Sequence, residues 1–134
     1  MTITKNAYDL NMRRLHHASA AGDLKTVRHL LYDLDVDPDS RDMNTETHRQ
    51  TASERAAAKG HLNVLKELAR AGADFFILSR SGMTLEDIVR KHIKDGEFAT
   101  SRKEYEECLK FIIETKEEQS KLRGRLRMVG IRNG

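Results

Sequence analysis

Between Ala56 and Leu78 (AAAKGHLNVLKELARAGADFFIL) apolar residues fall at Leu62, Val64, Leu65, Leu68 and Ala69, the spacing of one helical face. A short helix-like run ends at Lys59 ahead of it, and Gly60-His61 forms a corner between the two. Gly72 closes the second helix, because glycine takes positive φ just past a C-terminus without steric cost. The pattern recurs. Ala20–Leu31 (AAGDLKTVRHLL) aligns with Ala58–Ala69 (AKGHLNVLKELA), which sets the corner glycines Gly22 and Gly60 38 residues apart. Thr51-Ala-Ser-Glu54 and Thr84-Leu-Glu-Asp87, 33 residues apart, each place a hydroxyl three residues before a carboxylate, as a helix-opening capping box does. A helical hairpin cannot bury its apolar face alone, so repetition predicts a stack of hairpins.

The remaining elements follow from the same pattern. A first helix is expected from about Asp9 to Ala21, with Leu10, Leu15 and Ala18 inward, and a second from Leu24 to about Tyr32. Residues 33–50 show neither helical period nor alternation and read as a long acidic loop. In the arm Ala73–Arg80, period-two geometry sends Phe75 and Ile77 one way and Phe76 and Leu78 the other, so one pair reaches the core. Leu85, Ile88 and Val89 face inward in a third run. A long helix from about Ser101 to Leu122 carries its stripe at Tyr105, Cys108, Leu109, Ile112 and Ile113. Its charged opposite face suits a terminal unit that nothing covers. Residues 1–8 read as a flexible leader, and 120–134 either continue the last helix or hang loose.

These residues resemble the ankyrin-repeat family. Leu15, His16 and Ala18 match its L-H-x-A segment, and Leu24, Val27, Leu30 and Leu31 its second helix. In the middle unit Ala56, Ala57, Gly60, His61, Leu62, Val64, Leu65, Leu68, Gly72, Ala73 and Asp74 match, and Gly82-Met83-Thr84 opens a third unit. No unit keeps Thr-Pro-Leu-His intact, and the third lacks the Gly-His corner. The resemblance implies an all-α solenoid of about three helix-turn-helix units with finger loops and an extended C-terminal capping helix. The expected layout is a leader at 1–8, a repeat domain at 9–118 (units about 9–42, 47–80 and 81–118) and a basic tail at 119–134.

Composition narrows the chemistry. Charged residues make up 34% and aromatics 5% of 134 residues, which suits a surface-rich helical module. No 18-residue apolar run suggests a membrane span, and no apolar signal segment follows Met1, so a cytoplasmic or nuclear location is expected. From Lys121 onward there are five basic residues and no acidic one, leaving 19 basic against 21 acidic in the body. That tail invites a reading as a ligand for nucleic acid or an anionic surface, without an aromatic platform to support it. The lone Cys108 lies on an apolar stripe, the histidines lack metal-ligand spacing, and no phosphate loop or nucleophile elbow occurs, so neither an enzyme nor a cofactor is expected. One rival stands: Asp35, Asp37, Asp39 and Glu46 occupy positions 1, 3, 5 and 12 of a calcium-loop pattern, though Ser40 stands where its turn wants glycine.

By the resemblance, function lies on the concave face made by first helices and fingers, and the protein is a scaffold or adaptor binding another protein. The family's variable positions fall on Gln50, Arg55 and Lys59 in the middle unit, with Ala58, and on Arg80, Met83, Arg90 and Lys91 in the third, with Ser81; Phe76 or Leu78 would be the anchor. That face is mainly basic and favours an acidic partner. A stack of three units is short enough that self-association through an uncovered end stays open.

Overall fold

A computed structural model describes residues 2–41, 50–95 and 99–133, with side chains placed over 7–41, 50–95 and 102–125. Helix α1 (Thr2–Ala21) pairs with α2 (Leu24–Arg28), which runs on as one π-helical turn, His29–Asp33. Helices α3 (Ala52–Lys59) and α4 (Leu62–Arg70) form the second hairpin, and α5 (Leu85–Asp95) with α6 (Ala99–Asn133) the third. No strand occurs among the described residues.

The corners repeat a local design. Gly22 (φ 75°) and Gly60 (φ 73°) sit in the left-handed region that side chains avoid. Beyond them the Asp23 and His61 amides reach back five residues to the carbonyls of Ala18 and Ala56, at 2.9 and 3.0 Å. Asp23 then opens α2: its carboxylate accepts from the Thr26 hydroxyl at 2.6 Å and the Thr26 amide at 3.3 Å, and these bonds hold it below its ordinary pKa. At Thr84 the capping box is complete, with Asp87 N–H donating to the Thr84 hydroxyl at 3.0 Å and Thr84 N–H to the Asp87 carboxylate at 3.2 Å.

The hairpins stack in one register. First helices form one layer, α1 against α3 and α3 against α5; second helices form the other, α2 against α4 and α4 against α6. Between the layers lies one continuous core that includes Leu15, Leu30, Leu65, Leu68, Phe75, Leu85 and Ile112, each at most 2% exposed. Burying side chains of this size stabilises by about 1.5–3 kcal/mol each.

Two sequence expectations change, and one open alternative is decided. Leu10 is exposed, while Met12, like Leu15 and Ala18, is buried. The helix expected from Asp9 begins at Thr2, through the segment read as a leader. Of the two alternatives for the basic end, the helical one is found, with α6 continuing past Leu122 to Asn133.

Candidate functional site

The loop after the first hairpin, described over residues 34–41, is the first finger and the arm Ala73–Arg80 the second, and both are tied down before any partner arrives. His16, buried in α1, points its ring Nε2–H at the Ser40 carbonyl of the first finger, 2.9 Å away. Asp39 accepts the Asp74 backbone amide through both carboxylate oxygens, at 2.9 and 3.1 Å, joining the first finger to the second. Burial raises the Asp39 pKa and that amide opposes the rise. From the other side Gln119 of α6 clamps the second finger: its amide donates to the Ala73 carbonyl at 2.7 Å and accepts from Phe75 N–H at 3.0 Å. Arg123 adds a 2.7 Å ion pair to Asp74.

Of the expected alternation in this finger, Phe75 reaches the core while Ile77 is only half-buried. Phe75 is fully buried and meets Phe111 edge to face, with centroids 6.1 Å apart. Phe76 and Leu78 face solvent. The Phe76 ring, however, lies under two cations of α6, Lys116 Nζ at 4.7 Å and the Arg123 guanidinium at 4.8 Å from its centroid. Much of its face is therefore already engaged within the chain, and Leu78 is the freer apolar group.

Where the second finger meets α3 and α5, a cleft of about 510 Å³ opens. Gln50 and Glu54 line it from the middle unit, Ser79, Arg80 and Ser81 from the finger, and Met83, Ile88 and Lys91 from the third unit. Of the residues expected to bind a partner, the structure brings Gln50, Arg80, Met83 and Lys91 together here. Arg55 is half-buried on α3 and engaged in contacts. Arg90 is exposed on α5 without lining the cleft, and Lys59 lies toward the corner end of α3, where its charge bears on His92. Burial, then Lys91 and Lys59, hold the His92 pKa below its usual value.

Glu54 belongs to the cleft although its spacing reads as half of a capping box. Its amide does donate to the Thr51 hydroxyl at 3.2 Å, but neither oxygen of its 1% exposed carboxylate forms a hydrogen bond among the described residues. Counting back 38 residues, Glu54 stands where His16 stands in the first unit and Leu78 where Ser40 does. A carboxylate cannot donate to a finger carbonyl as His16 does. Arg41 supplies that bond instead, donating to the Leu78 carbonyl at 2.6 Å while its other Nη lies 3.8 Å from Glu54. Burial pushes the Glu54 pKa up, against the pull of Arg41 and Thr51. The signal for it in the sequence is this register, in which an acid replaces a histidine.

Other candidate chemistry is placed as follows. In the calcium-loop reading, Asp39 spends both oxygens on the Asp74 amide, Asp37 accepts the Asp39 amide at 2.9 Å, and Glu46 lies outside the described residues. Burial drives the Cys108 thiol up to about 11, so the nucleophilic thiolate is scarce at neutral pH. Among the described residues no helix is long and apolar enough to cross a membrane, and no group of three metal-ligating side chains converges.

No curated protein sequence matches the chain closely. The family model for the ankyrin repeat matches residues 14–43, which span the α1–α2 hairpin and the start of the first finger. Ankyrin repeats are in general protein-interaction modules, typically without enzymatic activity. Joined to the two-layer stack, the glycine corners and the fingers held against the first helices, that match supports an ankyrin-repeat arrangement of helix-turn-helix units.

Proposed function

We propose that the protein is an adaptor that holds an acidic segment of a partner protein in the cleft between its second finger and the first helices of its middle and third units. The observation that carries this reading is the convergence of exposed Arg80 and Lys91 with Gln50 and Met83 on one cleft of about 510 Å³. Two exposed cations raise the encounter rate with an acidic partner and favour it over a basic one. The fingers are already tied to each other and to α6, so binding orders little of the chain and loses little entropy in doing so. Leu78, on the same finger and 49% exposed, adds an apolar contact at the rim.

The experiment is affinity capture from native lysate with the wild-type chain and the double reversal Arg80→Glu plus Lys91→Glu, matched for thermal stability. A partner retained by the wild type and lost by the double variant fits the proposal, and the wild-type complex should weaken as salt rises. Equal retention by both proteins would remove the cleft from the interface.

A further inference from the structure

We infer that the cleft has a specific acceptor, and that the partner group it takes is an arginine side chain whose guanidinium pairs with the carboxylate of Glu54. This rests on the proposal that the cleft is the partner-binding site and adds what the partner places in it. Glu54 is 1% exposed, and neither of its carboxylate oxygens has a hydrogen-bond partner among the described residues. Buried carboxylates are almost always bonded, so one with two unpaired, buried oxygens on a residue that lines a cleft marks a position for a donor.

Arg41, the cation paired with Glu54 among the described residues, does not fill that role. Arg41 stands 3.8 Å from Oε1, beyond hydrogen-bonding distance, and it donates through Nη2 to the Leu78 carbonyl. In the equivalent place of the first unit, His16 satisfies its own finger directly. The second unit has moved that structural bond to Arg41 and left the acid's oxygens open.

Two open oxygens on one carboxylate match the two parallel N–H groups of a guanidinium, which bind as a fork where an ammonium binds as a point. Met83 and Ile88 line the same cleft and offer apolar surface to the methylene stem of such a side chain. Arg80 and Lys91 are exposed, so water and salt screen their repulsion of the incoming cation. They remain available to acidic residues flanking the arginine, so the preferred segment is an arginine between acids.

The test titrates capped tripeptides Glu-X-Glu, with X arginine, lysine, citrulline or norleucine, into the isotopically labelled chain and follows backbone amide shifts. The arginine peptide should move the amides of Glu54, Ser79, Ser81 and Lys91, and bind about tenfold or more tighter than the citrulline and norleucine peptides. Glu54→Gln should remove that preference while its melting curve shows a folded protein, and Glu54→Asp should retain part of it. Equal binding of the lysine and arginine peptides, an unchanged preference in Glu54→Gln, or shifts confined to other surfaces would each overturn the inference. Should all peptides fail while a captured partner still depends on Arg80 and Lys91, the inference falls and the cleft proposal stands. If that dependence is also absent, both fall.

Discussion

The phenol of Tyr105 donates to the carbonyl of Ala58 at 2.8 Å, and in doing so does for the third unit what His61 does for the second. The His61 ring reaches the Ala20 carbonyl at 3.0 Å. Both carbonyls lie two residues before a corner glycine, at a helix C-terminus where carbonyls lack helical partners. Both rings also press on that glycine: a Cβ at Gly22 would lie 2.8 Å from His61, and one at Gly60 3.2 Å from Tyr105. The third unit has no Gly-His corner, and a tyrosine on α6, stacked on His92 at 5.3 Å, restores the tie. Tyr105→Phe removes only the hydroxyl, so it should lower stability by about 1 kcal/mol in chemical denaturation. An unchanged midpoint and slope would show that the bond contributes nothing.

Glycine corners separate two costs. Gly72 has φ 97°, and a Cβ added to it would meet nothing within 4 Å, so Gly72→Ala should cost only the left-handed strain, about 1–2 kcal/mol. Gly22→Ala meets the same strain and also the His61 ring, which must swing away from the Ala20 carbonyl. Its loss should exceed that of Gly72→Ala by about 1 kcal/mol, the worth of that hydrogen bond. Thermal melts of the two variants side by side decide it, and equal losses would mean the ring gives way freely.

The hairpins are legible in the sequence because their signals are local. Corner glycines, the alternation of Phe75 to Leu78 and the stripe through Leu65 and Leu68 each depend on residues a few positions apart. What stays hidden is decided by partners far along the chain. Tyr105 reads as one more core residue on a stripe, and only its 47-residue reach to Ala58 gives it a role. Gln119 sits in a charged run, and nothing nearby marks it as the clamp on Ala73 and Phe75. Leu10 reads as inward on hydrophobicity alone, yet it is exposed and Met12 is buried. For Glu54, a local capping pattern masks its place in the cleft.

That place has a pH signature. Burial holds the Glu54 carboxyl above its ordinary value. Through the window between the unfolded and folded values, the folded chain keeps a proton that the unfolded chain has released. The contribution of this group to stability is therefore greatest below the usual carboxylate range and is lost as pH rises through the folded value. Glutamine has no such proton, so Glu54→Gln should gain stability relative to the wild type as pH rises from about 4 to about 7. Urea denaturation of both proteins at the two pH values measures this. A difference that is flat, or that shrinks toward neutral pH, would mean that the Arg41 pair outweighs the burial.

The sequence places the end of the repeat domain at residue 118, but the contacts of the last helix with the second finger run on to Arg123. Gln119 occupies one donor and one acceptor of the finger backbone, and without it the Ala73 carbonyl and Phe75 amide lose their partner in a part-buried place. Gln119→Ala should therefore cost about 1–3 kcal/mol, and hydrogen exchange at the Phe75 amide should quicken more than at amides of α3. A chain ending after Glu118 loses in addition the Arg123–Asp74 pair and the Arg123 cation over Phe76, whereas one ending after Arg125 retains all of these. The first should melt clearly below the full chain and the second close to it. If the two truncations melt together, the finger is held by Phe75 in the core, and the domain does end where the sequence suggests.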